Sequence, residues 1–456
     1  MTVGARVLLL GAIAACCFAA AAQVLVMAQL GASAGFVLPI AVVVGVAVVR
    51  RPVIGVQLAV LAVPLEYFSI KLGAFGGLSV SELLLLLTAA AVLLEWAVSG
   101  HVPAVPPALR ALLLICVVIA FGFTIARDTV IVTKVLLMWS AFTIVGVQLA
   151  ASPVEDVRRT MICMALAGGL VSLIAIATGG TQTLVGGGEI VTNRAQGSFA
   201  QPNVLGFFLV MTIPIAIVLA TQGPLWLRGV MTAAAAASVM GVMLSLSRTS
   251  LLGTALGFVV LLLWPPFRKL AFAALAVLVV FSLVNAKALS QSHQIEVVTS
   301  RLGTLGQAST VSDDPRLEIY RTVPGVFAEH PWLGVGEGNF SLISREYGLR
   351  DLDGMPFDHA HNVVLTFAAE LGAPGLLALG WLFFAVGRLV VGAARTRGDP
   401  VVGALGLALS AAMVGNVLTS LGDYPPRTNV IAAMFIAQVG LLAALQRRAQ
   451  APMRSA

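Results

Sequence analysis

Charged residues are scarce in this 456-residue chain: Asp, Glu, Lys and Arg make up 10% of it, and hydrophobic residues make up 59%. A soluble globular domain carries about 25% charged residues, so this class of protein is excluded. The apolar runs are of the length, about 20 residues, that spans a bilayer as a helix. They are too long and too apolar for the strands of a membrane β-barrel. The sequence therefore predicts an all-α, polytopic membrane bundle.

Cysteine is also scarce, and none of it has the spacing of a metal site. All four cysteines lie inside apolar runs, at Cys16, Cys17, Cys116 and Cys163. We interpret them as packing residues. The carboxylates Asp351, Asp353 and Asp358 lie in a polar segment, where we expect them to be solvated. The sequence therefore predicts no metal site and no cofactor.

The formal net charge of +7 does not come from one basic patch. The basic residues lie between the apolar runs, as topology signals do, so the sequence does not favour nucleic acid as a partner. Most fall on one side of the predicted spans: Arg50, Arg51, Arg110, Arg158, Arg159, Arg228, Arg268, Lys269, Arg395, Arg397, Arg447 and Arg448. The positive-inside rule makes that side the cytoplasm. Both termini are then predicted to be cytoplasmic.

The apolar runs predict about 12–14 transmembrane helices. The first run follows Arg6 and resembles a signal peptide, but it exceeds the usual h-region of about 7–15 residues, so we interpret it as a retained helix. The short runs 33–49 and 53–70 are also compatible with re-entrant segments. The predicted spans are 7–30, 33–49, 53–70, 79–98, 109–126, 130–150, 159–179, 203–221, 227–246, 249–265, 269–286, 361–391, 400–420 and 428–447.

Polar segments divide the chain into three parts. Residues 1–179 form N-terminal membrane helices, residues 180–392 form a core, and residues 393–456 form C-terminal helices with a short tail. The core contains one large extracytoplasmic loop, 287–360, with ten acidic and six basic residues. Within this loop, 315–330 has the apolar spacing of an amphipathic helix at Leu317, Tyr320, Val323 and Phe327. The glycine-rich segment 334–339 predicts a turn after it.

The strongest candidate for a chemical site is Asp358-His359-Ala360-His361-Asn362, where the polar loop meets an apolar run. At this boundary a lipid-borne substrate can meet a water-borne group. Neutral imidazole is the usual proton acceptor near pH 7. The alternative is that His361 is an ordinary interfacial residue and that Asp358 caps the following helix. We expect His361 to lie close to the reaction, with His359 as a second candidate.

Three arginines are candidates for binding an anion. Arg248 lies between two apolar runs with almost no linker. A charge there is costly unless it is paired, reaches the membrane interface by snorkelling or faces a water-filled cavity. Its planar guanidinium suits phosphate oxygens. Arg194 lies in a shaped loop before a span, and Arg321 lies on the predicted amphipathic helix. The alternatives are a snorkelling helix-end residue for Arg248 and solvated surface charges for the other two.

Two further polar residues lie close to these candidates. Asn203 follows Pro202 and is predicted to cap the next helix. Glu370 lies nine residues after His361, about 13 Å along a helix, which is too far for a direct pair. We therefore interpret Glu370 as a structural charge partner, for example of an arginine from another span.

Four motifs, in order, resemble the bacterial O-antigen ligase superfamily, which also contains O-antigen polymerases and protein O-oligosaccharyltransferases. The first two are Gly197-Ser-Phe-Ala-Gln-Pro-Asn203-Val-Leu-Gly and Leu244-Ser-Leu-Ser-Arg248-Thr. The third is His330-Pro-Trp-Leu-Gly-Val-Gly-Glu-Gly-Asn-Phe340. The fourth runs from His361-Asn-Val-Val-Leu to Glu370-Leu-Gly-Ala-Pro-Gly375. Together they cover roughly 190–392, whereas the N-terminal spans match only in hydropathy.

The resemblance implies a metal-independent, inverting glycosyl transfer on the outer face of the cytoplasmic membrane. The implied donor is a glycan on undecaprenyl diphosphate, and the acceptor is a hydroxyl of a lipid, a glycan or a protein. The family's histidine matches His361 and activates that hydroxyl. Its arginines match Arg248 and Arg321, with Arg194 as a third candidate, and hold the diphosphate. His359 departs from the minimal motif and could share the role of His361.

A ligase is the leading hypothesis, and a polysaccharide polymerase or protein O-oligosaccharyltransferase of the same superfamily is the alternative. The rival from another class is a transporter of a small solute or of inorganic carbon. A transporter is expected to place ionisable residues at the bilayer midplane, for which Glu66, Glu370 and Asp423 are the candidates. A third hypothesis, a scaffold for envelope assembly, makes no demand on His361.

Overall fold

The computed structural model describes residues 37–71, 77–185, 189–269, 316–350, 354–395 and 399–450. The predicted spans 7–30 and 269–286 lie outside these ranges, apart from Lys269, as does the loop segment 287–315. Six residues singled out in the sequence also lie outside them: Arg6, Cys16, Cys17, Asp351, Asp353 and Arg397.

The described chain is an α-helical bundle with two short antiparallel hairpins. The first half contains α1 (Val37–Arg50), α2 (Pro52–Leu61), β1 (Ser69–Lys71), β2 (Gly77–Ser79), α3 (Val80–Ser99), α4 (Pro107–Gly122), α5 (Thr129–Ala150), α6 (Val154–Thr178), β3 (Gly180–Val185) and β4 (Glu189–Ala195). The second half contains α7 (Pro202–Leu219), α8 (Leu225–Leu244), α9 (Arg248–Leu261), α10 (Arg316–Glu329), α11 (Phe340–Glu346), α12 (Val363–Ala394), α13 (Pro400–Gly422) and α14 (Asn429–Gln450).

Eight of the described helices, α3, α5, α6, α7, α8, α12, α13 and α14, are long and apolar enough to cross a membrane. Four shorter apolar helices, α1, α2, α4 and α9, fall at the predicted spans 33–49, 53–70, 109–126 and 249–265. The prediction of an all-α polytopic membrane bundle is confirmed. The sequence did not predict the hairpins β1–β2 and β3–β4.

Helix α7 lies at the centre of the bundle, where 94% of its apolar window is buried. Its neighbours include α9 and α13, which approach each other closely. A Cβ placed on Gly253 of α9 would lie 2.7 Å from the Gly415 carbonyl oxygen of α13. Small residues permit such close backbone approach in membrane bundles. The start of α9 is thereby held against the end of α13.

The two ends of the bundle differ in their polar residues. At one end, called here the site face, α13 ends at Gly422, α12 begins at Val363 and α9 begins at Arg248. At the other end, called the basic face, Arg51 pairs with Asp156 at 2.6 Å. Arg158 lies against Gly223 at the same end. The end of α12 places Arg395 there, and the last turn of α14 places Arg447 and Arg448 there.

Helix α12 is broken at Gly372, where φ is +64° and ψ is −157°. The segment Pro331–Phe340 fills the break. The amides of Val335 and Gly336 donate to the carbonyl oxygens of Ala369 and Glu370 at 2.9 and 3.0 Å. Backbone groups exposed by a break inside a membrane helix must find new partners. The loop supplies these partners, so the break in α12 depends on the loop for its hydrogen bonds.

The amphipathic helix predicted over 315–330 is confirmed as α10, Arg316–Glu329. Its fully buried residues are Ile319, Val323 and Val326, and the predicted apolar residues Leu317, Tyr320 and Phe327 are half-buried. Tyr320 donates a hydrogen bond from its hydroxyl to the His361 carbonyl oxygen at 3.1 Å. Helix α10 is thereby packed over the candidate site.

The close contact between the loop and α12 is tested by Gly334→Ala, with Gly348→Ala as the matched control. Both glycines have positive φ, but a Cβ on Gly334 would lie 2.3 Å from the Glu370 carbonyl carbon, whereas nothing lies within 4 Å of one on Gly348. Gly348→Ala should cost only the left-handed strain, about 1–2 kcal/mol, and Gly334→Ala about 1–3 kcal/mol more. Thermal unfolding in detergent measures both, and equal losses would contradict this packing.

Candidate functional site

A buried carboxylate, Asp423, is the centre of the polar cluster on the site face. It follows the last residue of α13 and is 3% exposed. Its Oδ1 accepts hydrogen bonds from His361 Nδ1 at 2.9 Å and His359 Nε2 at 3.2 Å. The Tyr424 amide donates to the same oxygen at 2.8 Å. A buried carboxylate needs such donors to offset its desolvation.

His361 is positioned by the start of α12. Asn362 is the N-cap, and its side-chain oxygen accepts from the amides of Val364 and Leu365. The predicted alternative, a cap by Asp358, is wrong because Asn362 occupies that position and Asp358 binds elsewhere. The cap and the Tyr320 hydrogen bond hold His361 at φ +49°. With Nδ1–H donated to Asp423, the Nε2 of a neutral imidazole is left as proton acceptor.

His359 lies between two carboxylates. Its Nδ1 donates to Asp358 Oδ1 at 2.6 Å and its Nε2 to Asp423 Oδ1 at 3.2 Å. Its ring centroid lies 4.2 Å from that of His361. Asp358 in turn accepts from Arg427 Nε at 3.3 Å. With both ring nitrogens donating, His359 has the hydrogen-bond pattern of an imidazolium ion.

The two histidines have opposite electrostatic environments. Burial and the positive charge on His359 lower the pKa of His361 below its usual 6.5, although the Asp423 hydrogen bond opposes them. For His359, burial acts in the same direction, but the hydrogen bonds to Asp358 and Asp423 outweigh it and raise its pKa to about 9. The same bonds hold the pKa of Asp423 well below its usual range, against its burial. At neutral pH, His361 is therefore neutral and His359 charged.

Arg194 and Asn203 connect to Asp423 through a chain of hydrogen bonds. Arg194 Nη2 donates to Asn203 Oδ1 at 2.6 Å, and Asn203 Nδ2 donates to Asp423 Oδ2 at 3.2 Å. The prediction that Asn203 caps α7 is wrong: Gln201 is the N-cap, and Asn203 lies inside the helix. Its amide is therefore available to bridge an arginine and the central carboxylate.

The other predicted arginines are exposed. Arg248 is the first residue of α9, and in the described part of the chain its guanidinium has no hydrogen bond or ion pair. It lies beside the cluster, since a Cβ on Gly422 would lie 2.6 Å from Cγ2 of Thr249. Arg321 is exposed on α10. The arginine of α10 that reaches the cluster is Arg316, whose Nη2 lies 4.0 Å from Asp423 Oδ2.

Glu370 lies beneath the cluster, two turns into α12, and is 1% exposed. Its carboxylate accepts from the Phe340 amide at 3.0 Å, and the Arg427 charge acts on it. The role of Glu370 as a structural charge partner stays a prediction. The nearby Glu337 accepts from the Tyr424 hydroxyl at 3.4 Å. Burial and the Glu370 charge raise the pKa of Glu337 well above its usual value.

Backbone strain in the described residues is concentrated at this site. Leu246 and His361 are the two non-glycine residues with positive φ in that part of the chain. Leu246 follows Ser245, whose carbonyl oxygen accepts from Arg194 Nε at 3.0 Å. Such conformations persist only where surrounding contacts hold them, and they cluster at functional sites.

A small apolar cavity of about 40 Å³ lies next to the cluster. Its walls include Val363 and Phe367 of α12 and Ser420 of α13. The Nδ2 atom of Asn416 is buried in the same wall and has no hydrogen-bond partner among the described residues. Apolar side chains therefore lie close below the proton-accepting histidine.

The ring nitrogens of His359 and His361 and the Asp423 carboxylate lie within 4.8 Å of one another. Two histidines and one carboxylate are donor groups that can bind a divalent transition metal. The sequence pattern predicted no metal site, because Asp423 lies 62 residues after His361. No local spacing reveals this group of donors.

Four residues of the cluster were missed as site residues: Asp423, Tyr424, Arg427 and Arg316. One signal pointed to the first three, since Asp423-Tyr424-Pro425-Pro426-Arg427 is a polar segment between two apolar runs, on the predicted outer side. For Arg316 the signal was helical spacing. It lies four residues before Tyr320 on α10, so both side chains point to one side.

These observations define a polytopic membrane protein with a histidine–aspartate centre at one end of its bundle. Residues 233–380 match the family model described as O-antigen ligase, which confirms the resemblance found in the motifs. The match supports a membrane glycosyltransferase of the O-antigen ligase and polymerase type. It includes Arg248, Arg316 and His361, whereas Arg194, Asn203 and Asp423 lie outside the matched residues.

One solved structure with a similar chain is described as "Structural coordination of polymerization and crosslinking by a peptidoglycan synthase complex". The two chains share 14% sequence identity over 75% of this chain and 98% of that one, with a TM-score of 0.41. This degree of similarity supports no functional inference. Comparison with curated proteins gave no match.

Proposed function

We propose that the protein transfers a saccharide from a lipid diphosphate, of the undecaprenyl type, to an acceptor hydroxyl, with His361 as the general base. The observation that carries this proposal is the Asp423–His361 pair. Asp423 orients the imidazole through Nδ1, at 2.9 Å, and leaves Nε2 to accept the hydroxyl proton. This is the arrangement by which a carboxylate prepares a histidine for proton abstraction in acyl-transfer enzymes.

In the proposed step, the acceptor oxygen attacks the anomeric carbon while the bond from that carbon to the diphosphate oxygen breaks. The hydroxyl proton goes to His361 Nε2, and the electron pair of the broken bond leaves with the diphosphate. Attack opposite the leaving group inverts the anomeric configuration. A diphosphate is a good leaving group, so positioning and cationic stabilisation supply the remaining catalysis without a metal.

Cationic groups for the diphosphate come from three parts of the chain. Arg316 lies 4.0 Å from Asp423, and the exposed Arg248 begins α9 on the same face. The imidazolium of His359 binds Asp423 directly. We assign Arg316 and Arg248 to the diphosphate. Arg194 acts as a positioning residue, because its guanidinium already binds Asn203 and the Ser245 carbonyl oxygen.

We infer that the site face is extracytoplasmic and that the membrane is the bacterial inner membrane. The support is the concentration of arginines at the basic face, which the positive-inside rule assigns to the cytoplasm. Both termini would then be cytoplasmic. A lipid-linked donor approaches such a site from the bilayer, where the apolar cavity beside Val363 provides contact near the reacting groups.

The transporter hypothesis loses its main support in this arrangement. Glu66 follows α2 near Ser81, with which it forms a hydrogen bond at 2.7 Å on the site face. Asp423 lies at a helix end on the same face, and Glu370 contacts the loop that fills the α12 break. Glu370 is the eighth of the 32 residues of α12, so none of these three carboxylates lies at the middle of a membrane helix, where an ion or solute site is expected.

His361→Gln should strongly lower the rate of glycan transfer without loss of fold, because the amide cannot accept the proton. General base catalysis contributes about 10²–10⁴-fold, so the rate of product formation from a lipid-diphosphate donor should fall by that factor. The matched control is His330→Gln, an exposed histidine on the same polar segment. Wild-type turnover in the His361 variant would contradict the assigned base.

Substitution distinguishes the roles of the two arginines of α10. Arg316→Gln should lower the transfer rate by about 10²-fold, as for loss of one transition-state donor. Arg321→Gln should lower it far less, because five residues along a helix turn its side chain away from Arg316. The measurement is the initial rate at saturating donor. A larger loss in Arg321→Gln would return the diphosphate role to that residue.

The transfer rate should have a bell-shaped pH dependence. It rises as His361 loses its proton, below the usual histidine pKa of 6.5. It falls as His359, with a pKa of about 9, loses the charge that faces the diphosphate. In His359→Gln the alkaline limb should vanish and the acid limb remain. An unchanged alkaline limb in that variant would assign the limb to another group.

A further inference from the structure

We propose that His359, His361 and Asp423 also form a binding site for Zn²⁺, and that the bound ion switches off the base. The switching depends on the proposed function, whereas the metal site itself depends only on geometry. The site has three protein ligands and an open fourth position. That number of ligands is typical of exchangeable zinc sites rather than closed structural ones.

Two of the three donor pairs already have the spacing that a tetrahedral ion requires. Zinc bonds of about 2.0–2.1 Å place neighbouring donors about 3.3 Å apart. His359 Nε2 and His361 Nδ1 lie 3.2 and 2.9 Å from Asp423 Oδ1, and all three donors lie within 4.8 Å of one another. The two histidine–carboxylate distances therefore need to change by only a few tenths of an ångström, and the two ring nitrogens need to turn from Asp423 Oδ1 toward the ion.

The surrounding groups would hold the ligands in this orientation. His359 Nδ1 binds Asp358 at 2.6 Å, which gives the carboxylate–histidine–metal arrangement seen around zinc. Asp423 Oδ2 accepts from Asn203 at 3.2 Å. The ligand side chains are 12%, 16% and 5% exposed for His359, His361 and Asp423, so little water competes for them. Outer hydrogen bonds of this kind raise metal affinity.

The donor set selects the class of ion. Two imidazole nitrogens and one carboxylate oxygen suit Zn²⁺ and its first-row neighbours. Mg²⁺ requires about six oxygen ligands in octahedral geometry, which this cluster does not supply. Arg316, 4.0 Å from Asp423, places a positive charge beside the ion. His359 must also release its Nε2 proton to the solvent before that nitrogen can bind the ion. We therefore expect weaker binding than at a structural zinc site.

A bound ion removes the proton acceptor by changing the tautomer of His361. Coordination uses the lone pair of Nδ1, so the proton of the neutral ring must be carried by Nε2. That nitrogen can then donate a hydrogen bond but cannot accept the hydroxyl proton. The ion also displaces the hydrogen bond from His361 to Asp423. The zinc-bound protein is therefore expected to be inactive in transfer.

The test is equilibrium dialysis of the purified full chain in detergent against ZnCl₂, with bound zinc measured by mass spectrometry. We expect one zinc per chain, at least about tenfold weaker binding in His359→Asn and Asp423→Asn, and unchanged binding in the control His330→Asn. Asp358→Asn leaves all three ligands in place and should weaken binding about 10–100-fold. It keeps the test decisive if a ligand variant does not fold. MgCl₂ should not bind stoichiometrically.

Cobalt provides an independent measurement, because Co²⁺ in a tetrahedral nitrogen and oxygen site absorbs visible light. The wild-type chain should show this band, and Asp423→Asn should not. Absence of stoichiometric zinc, or zinc binding unaffected by all three cluster variants, would overturn the metal site and leave the proposed transfer intact.

The inhibition is tested by measuring the transfer rate of the same purified protein. Zinc should inhibit transfer, and a chelator should restore it. Stimulation by zinc would overturn the inhibitory role. Zinc bound with the expected variant pattern, in a protein that never transfers a glycan, would support the metal site and reject the proposed function. The two failures are therefore distinguishable.

Discussion

The structure of the site depends on one interaction, the burial of the Asp423 carboxylate at the end of α13. A buried charge is costly unless several donors satisfy it. Those donors come from separate parts of the chain: the 358–361 segment, Asn203 of α7 and the Tyr424 backbone. These donors can reach the carboxylate only if the elements that carry them lie at the same end of the bundle. The orientation and charge of both histidines follow from it.

The same constraint explains why polar groups collect at the site face. The break in α12 exposes backbone groups that the loop at 334–340 satisfies, and Glu370 binds the amide of Phe340 in that loop. The loop then contacts the start of α5, since the Asp128 amide donates to Asn339 Oδ1 at 2.8 Å. A membrane protein can bury so many polar groups only where each finds a partner. The result is a hydrogen-bonded layer beneath His361, which supports the proposal that this residue is held in one orientation as a base.

Much of the fold followed from the sequence, because hydropathy and helical spacing are local properties. The eight long membrane helices, the short helices at the weak spans and the amphipathic helix α10 were all predicted. The prediction of the helix N-caps was less accurate. Asn203 and Asp358 were expected to cap α7 and α12, but Gln201 and Asn362 occupy those positions. Both predicted residues carry short polar side chains near a helix start, but each binds a distant partner instead: Asn203 binds Asp423, and Asp358 binds Arg427.

The amino-acid order is enough to establish that the chain is a membrane bundle, that its polar loop ends at His361, and which family it resembles. Tertiary contacts were needed to show which side chains act together. Asp423 lies 62 residues from His361 and 220 from Asn203, so no periodicity or motif connects them. The packed structure also placed Arg316 rather than Arg321 beside Asp423. This division arises because hydropathy records whether a residue leaves water, whereas partner choice depends on which helix ends the packed bundle brings together.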